Sequence, residues 1–78
     1  MLRYDGAMDP VRVGRMTRDI ISEDALPMEL IRVSHEAAAW HVLVRDTAQH
    51  EIEIAIHDTA TPRELRTVLR QRLEAACP

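Results

Sequence analysis

Two histidines, His41 and His57, lie on either side of Glu53, and these residues are the nearest approach in this chain to a metal-ligand set. Zinc would need imidazole nitrogens and carboxylate oxygens about 2 Å from one ion. The helical His pair at i and i+4 that commonly supplies such ligands is missing, so we assign no metal ligand. Nucleophilic chemistry has less support. Cys77 is penultimate, where no neighbouring base is held against it, and Ser22 and Ser34 lack the glycine-flanked elbow that exposes a catalytic serine. The carboxylate pairs Glu51/Glu53 and Glu23/Asp24 would need a dry cavity to raise a pKa. Gly6 and Gly14 are the only glycines, too few for a phosphate-cradling loop. We therefore expect no catalytic residue and no cofactor.

The remaining chemistry is cationic. Arg63, Arg66 and Arg70 fall on one face of a helical pattern and are candidate anion or partner contacts, since guanidinium forks match carboxylates and phosphates. All 10 basic residues are arginine. Arginine codons are GC-rich, which suggests a GC-rich bacterial genome as the source of this bias. Nucleic-acid binding through the stripe is the alternative function. Against it stand a net charge of −3 and only one Trp and one Tyr, Trp40 and Tyr4, for base stacking.

These side chains depend on a few elements for their placement. Thr61-Pro62-Arg63-Glu64 is a helix-start pattern, with Thr61 as N-cap, Pro62 first in the helix and Glu64 reaching back to the cap. Behind it Leu65, Val68, Leu69, Leu73 and Ala76 recur at helical spacing, so a helix is predicted over 62–76. In residues 51–57 Ile52, Ile54 and Ile56 alternate with polar positions, the pattern of a strand with one buried face. Residues 40–45, rich in aromatic and β-branched side chains, read as its hairpin partner. Pairing Val44 with Ile52, Val42 with Ile54 and Trp40 with Ile56 leaves Thr47-Ala48-Gln49 as the turn and sets Arg45 opposite Glu51.

Residues 28–35 read as a third antiparallel strand. A continuous helix over 27–45 competes, because Leu30, Val33, Ala37, Trp40 and Val44 also fit a 3-4-3-4 spacing. Strands are preferred, since the isoleucine strand needs a neighbour for its backbone, although Glu36-Ala-Ala-Ala39 is a poor turn sequence. Val11–Met16 reads as an edge strand broken by Gly14, which would extend the sheet to four strands. Ser22–Leu26 reads as a single helical turn capped by Ser22. Asp5-Gly6 and Asp9-Pro10 are turn signals and make residues 1–10 a flexible arm before one domain over 11–78.

The hairpin and capped helix over 40–76 resemble the opening half of the ubiquitin-like β-grasp fold. The likeness lies in His41-Val-Leu-Val-Arg-Asp, Glu51-Ile-Glu-Ile-Ala-Ile and Asp58-Thr-Ala-Thr-Pro-Arg-Glu-Leu. The strands that family places after its helix, and its C-terminal Gly-Gly, do not occur in this sequence. A helix, three strands and a helix would resemble the double-stranded-RNA-binding domain, but the lysine-rich start of that family's second helix is absent.

Size limits what this fold can do. The chain has 78 residues, and one that short buries only about 60% of its extended-state surface, leaving few apolar side chains for a deep cavity. A single cysteine excludes an internal disulfide, and no apolar run suits a membrane span, so a cytoplasmic protein is expected. The expectation is an α+β domain: a three-stranded antiparallel sheet covered on one face by the C-terminal helix. Its core would be Ile31, Val33, Trp40, Val42, Val44, Ile52, Ile54, Ile56, Leu65, Val68, Leu69 and Leu73. The uncovered face would present His41, Leu43, Arg45, Glu53 and His57 as a partner interface. The expected role is a non-enzymatic protein–protein interaction module, with a homodimer among its forms.

Overall fold

The computed structural model describes residues 8–77. Five elements follow one another: α1 (Pro10–Glu23), β1 (Met28–Glu36), β2 (Ala39–Asp46), β3 (Glu51–His57) and α2 (Pro62–Ala75). The strands form one antiparallel sheet in the order β1-β2-β3. The fold is a small α+β fold, and its order is helix, three strands, helix rather than that of the β-grasp. Both helices cover the same sheet face. A single buried cluster joins Val13 and Ile20 of α1, Trp40, Val42 and Val44 of β2, Ile54 and Ile56 of β3, and Leu65, Leu69 and Leu73 of α2.

The C-terminal half follows its local chemistry closely. The Glu64 backbone N–H donates to Thr61 Oγ1 at 3.2 Å, and the Thr61 N–H donates to Glu64 Oε1 at 2.9 Å, closing the capping box. β2 and β3 pair as the sequence predicts, with Val44 opposite Ile52, Val42 opposite Ile54, Trp40 opposite Ile56 and Arg45 opposite Glu51. The connecting turn is braced by Asp46, whose Oδ1 accepts from the N–H groups of Ala48 and His50, both at 2.9 Å. Gln49 takes the left-handed conformation there, with φ of 69°.

Four sequence expectations are corrected. Val11–Met16 is not an edge strand but the first half of α1. Asp9 caps that helix, accepting from the Arg12 N–H at 2.8 Å, and Pro10 occupies the first turn, where it sacrifices no hydrogen bond. Ser22–Leu26 is not a separate helical turn capped by Ser22; Ser22 lies in the last turn of α1. The helix ends beyond it, where Leu26 N–H donates to Ile21 O at 3.0 Å and Ala25 N–H to Ser22 O at 3.3 Å. Ala25, with φ of 50°, fills the left-handed position of this motif, which usually belongs to glycine. The arm expected over 1–10 falls largely outside the described residues, which exclude 1–7. Of its remainder, Met8 packs against the core and Asp9 and Pro10 start α1.

The fourth correction concerns Ile31, which is 36% exposed and not a core residue. Residues 28–36 do form a strand, and the competing helix over 27–45 is not formed. Between Leu30, paired with Val44, and Arg32, paired with Leu43, Ile31 is one residue too many. This β-bulge switches the side-chain parity. Met28 and Leu30 point at the helices before it and Val33 after it, whereas an unbroken strand would have buried Ile31 with Val33. Glu36 pairs with Ala39, so Ala37 and Ala38 form a two-residue hairpin loop with φ of 53° and 59°. Both central residues being left-handed is the type I′ signature, normally met by Asn-Gly. Here an Asp58 N–H bond to Ala38 O, 3.0 Å long, holds the turn against the sheet end.

Candidate interaction surfaces

Both helices being on one side, no helix among the described residues covers the opposite sheet face. Of the residues expected there, His41, Leu43 and Glu53 come together with Arg32, Ser34 and Glu36 around a cleft of about 380 Å³. His41 Nδ1 is 2.7 Å from Glu53 Oε2, and its Nε2 is 3.2 Å from the Glu36 carbonyl oxygen. These acceptors, Glu53 first, favour the charged imidazolium and raise the His41 pKa above 6.5. Arg45 lies further along β2, with Glu29 and Glu51 each 3.6 Å from its guanidinium. His57 is apart from these, at the end of β3 opposite Ala39.

Ser34 sits directly across from His41 in the register, which gives a serine, a histidine and a carboxylate on adjacent strands. The arrangement does not make a nucleophile. His41 Nε2, the nitrogen that would have to take the serine proton, faces the Glu36 carbonyl. Among the described residues no group of three or more His, Cys, Asp or Glu side chains is placed to hold a metal ion.

The arginine stripe on α2 is largely engaged within the molecule. α1 and α2 run side by side, which brings the end of α1 against the middle of α2. Arg66 Nη2 lies 2.8 Å from Glu23 Oε1. Arg70 reaches Glu23 Oε1 at 2.7 Å and Asp24 Oδ2 at 3.1 Å. Of the three stripe residues, Arg63 alone makes no ion pair with a described residue. Glu74 adjoins this cluster, and its pKa is raised, first by its hydrogen bond with Asp24. At the opposite end His35 stacks on Trp40, ring centroids 4.4 Å apart, and its Nε2 meets Asp58 Oδ2 at 2.8 Å. This corner secures the Ala37–Ala38 turn. Trp40 Nε1, buried beneath, has no hydrogen-bond partner among the described residues.

The surface the sequence did not reveal lies along the edge of β1 that no described strand covers. The large hydrophobic residues exposed among those described are Val11, 72% exposed, and Ile31. Though 20 positions apart, both line one groove of about 280 Å³ between α1 and β1, together with Gly14, Arg18, Arg32 and Val33. The bulge is the reason. It turns Ile31 out of the core, and Val11 stands on the outward side of α1, two residues before buried Val13. Gly14 is buried where α1 meets the strand, and a Cβ added there would make ordinary van der Waals contact with Leu30 Cδ2 at 3.5 Å and Val33 Cγ2 at 3.7 Å. Arg18 and Arg32 are exposed at the rim, and neither pairs with a carboxylate among the described residues. The signal available in the sequence was the Asp9-Pro10 helix start, which places Val11 on a helix; nothing marks Ile31 as the inserted residue.

No helix among the described residues is long and apolar enough to cross a membrane. No family model matches this chain, and comparison with curated proteins and with solved structures finds no match.

Proposed function

We propose that this chain is a non-enzymatic protein–protein interaction module whose docking surface is the groove between α1 and the bulged edge of β1. The observation that carries this reading is the convergence of Val11 and Ile31 on one groove beside a sheet edge that no described strand covers. Apolar side chains held in water beside unpaired backbone groups gain free energy when a partner buries them, by about 25 cal/mol per Å² of apolar area. The outer sheet face is a weaker candidate for the same role. Its His41, Arg45, Glu29, Glu51 and Glu53 are already matched with one another, and a covering partner would have to desolvate those pairs without improving them.

Nucleic-acid binding through Arg63, Arg66 and Arg70 has less to rest on, because the two latter residues already neutralise Glu23 and Asp24. A photo-crosslinking residue placed in the cognate cell tests the proposal directly. At position 11 or 31 it should yield one discrete protein adduct, and at Ala55 on the outer face it should yield none. Adducts at position 55 alone would move the interface to the open sheet.

A further inference from the structure

The groove also has a charge, and it is one-sided. Arginines stand at its rim on both elements, Arg18 from α1 and Arg32 from β1, and no acidic side chain lines it. Elsewhere Arg45 meets Glu29 and Glu51, Arg66 meets Glu23, and Arg70 meets Glu23 and Asp24. Arg15, Arg63 and Arg72, like Arg18 and Arg32, make no ion pair with a described residue, but Arg18 and Arg32 stand together beside the exposed Val11 and Ile31. An arginine beside an apolar surface and without a carboxylate is suited to bidentate capture of a carboxylate from outside.

We propose that the groove receives an acidic peptide segment, which seats an apolar side chain on Val11 and Ile31 and presents carboxylates to Arg18 and Arg32. This rests on the reading of the groove as the docking surface and adds the chemistry of the partner. A second copy docking groove to groove is disfavoured, because a twofold contact would bring both arginine pairs together with no lining carboxylate to separate them. A phosphate backbone would satisfy the arginines but leave Val11 and Ile31 with nothing apolar to bury against. The same bulge that exposes Ile31 interrupts the regular backbone ladder on β1, so recognition by side chains is favoured over simple strand addition.

The test uses the full chain, labelled with nitrogen-15, and three probes: a hexapeptide alternating glutamate and valine, the same peptide with lysine for glutamate, and a short mixed-sequence RNA duplex. The glutamate peptide should shift the amide signals of Val11, Gly14, Arg18, Ile31, Arg32 and Val33. The lysine peptide should bind about fivefold to tenfold more weakly, the contrast available from two exposed ion pairs. Arg18→Glu with Arg32→Glu should reverse that preference. Both positions are exposed, so an unchanged amide spectrum elsewhere verifies folding. Equal groove shifts with both peptides would overturn the acidic partner while keeping the docking surface. An unperturbed groove with either peptide, or shifts produced by the RNA duplex alone, would overturn both. A concentration-dependent dimer that vanishes in Ile31→Ser would replace the peptide with a second copy.

Discussion

β2 belongs to two hairpins, and they solve the same pairing problem differently. Against β3 it pairs without interruption from Arg45–Glu51 to Ala39–His57, across a turn braced by the Asp46 carboxylate. Against β1 it accommodates an extra residue, and the loop is two alanines in a conformation suited to Asn and Gly. The first hairpin shows how a strict alternation of isoleucines determines a register. The second shows how one inserted residue releases a side chain from the core without disturbing the rest, since Leu30 and Val33 on either side of it still face the helices.

Deletions separate the two most sharply. Removing Leu43 from β2 would turn either Val42 or Val44 to the wrong face, and we expect no cooperative urea transition, because a one-residue slip inverts a whole strand. Removing Ile31 takes out only the extra residue. That variant should fold within about 1 kcal/mol of the parent, and a loss of folding as complete as for the Leu43 deletion would refute the two-hairpin distinction. Truncations come next. Ile54→Ala empties a position only 4% exposed and should lower stability by about 2–5 kcal/mol, whereas Ile31→Ala should change it by no more than about 0.5 kcal/mol.

The turns provide a gain rather than a loss. Ala37→Asn with Ala38→Gly supplies the residues that left-handed backbone favours and should stabilise the chain by about 1–2 kcal/mol in denaturant titrations. No gain would mean that the Asp58 bond to Ala38 already offsets the strain. The smallest effect involves His41, which ties the two hairpins together through Glu53 on β3 and the Glu36 carbonyl on β1. Its raised pKa means that the folded state favours the imidazolium, in a cleft that Arg32 and Glu36 also line. The stabilisation is fully present below the ordinary 6.5 and is lost as pH rises through the raised folded value. Denaturation midpoints measured from about pH 5.5 to about 8.5 should therefore fall with pH, and Glu53→Gln should flatten that slope.

What could be read from the sequence was what single elements encode by themselves, together with the pairing of β2 with its neighbour β3. Thr61, Pro62 and Glu64 announce α2 within four residues, and Ile52, Ile54 and Ile56 declare both a strand and its buried face. α1 was obscured by two coincidences. Val11 and Val13 mimic strand alternation, and buried Thr17 interrupts the apolar period, although its Oγ1 simply donates to Val13 O at 2.8 Å. Asp9-Pro10 opens α1 as Thr61-Pro62 opens α2, but Arg12 stands where Glu64 completed the second signal. The bulge had no local signature at all. The candidate groove and the engagement of Arg66 and Arg70 both arise where α1 packs against another element, β1 in the first case and α2 in the second, which no single stretch of sequence records.

The irregular edge has a consequence for the chain in crowded solution. Fibrils grow when identical flat strands stack at a repeat of about 4.8 Å, each templating the next. A border strand kinked at Ile31 offers no such flat template, so molecules that collide along this side should part again instead of accumulating.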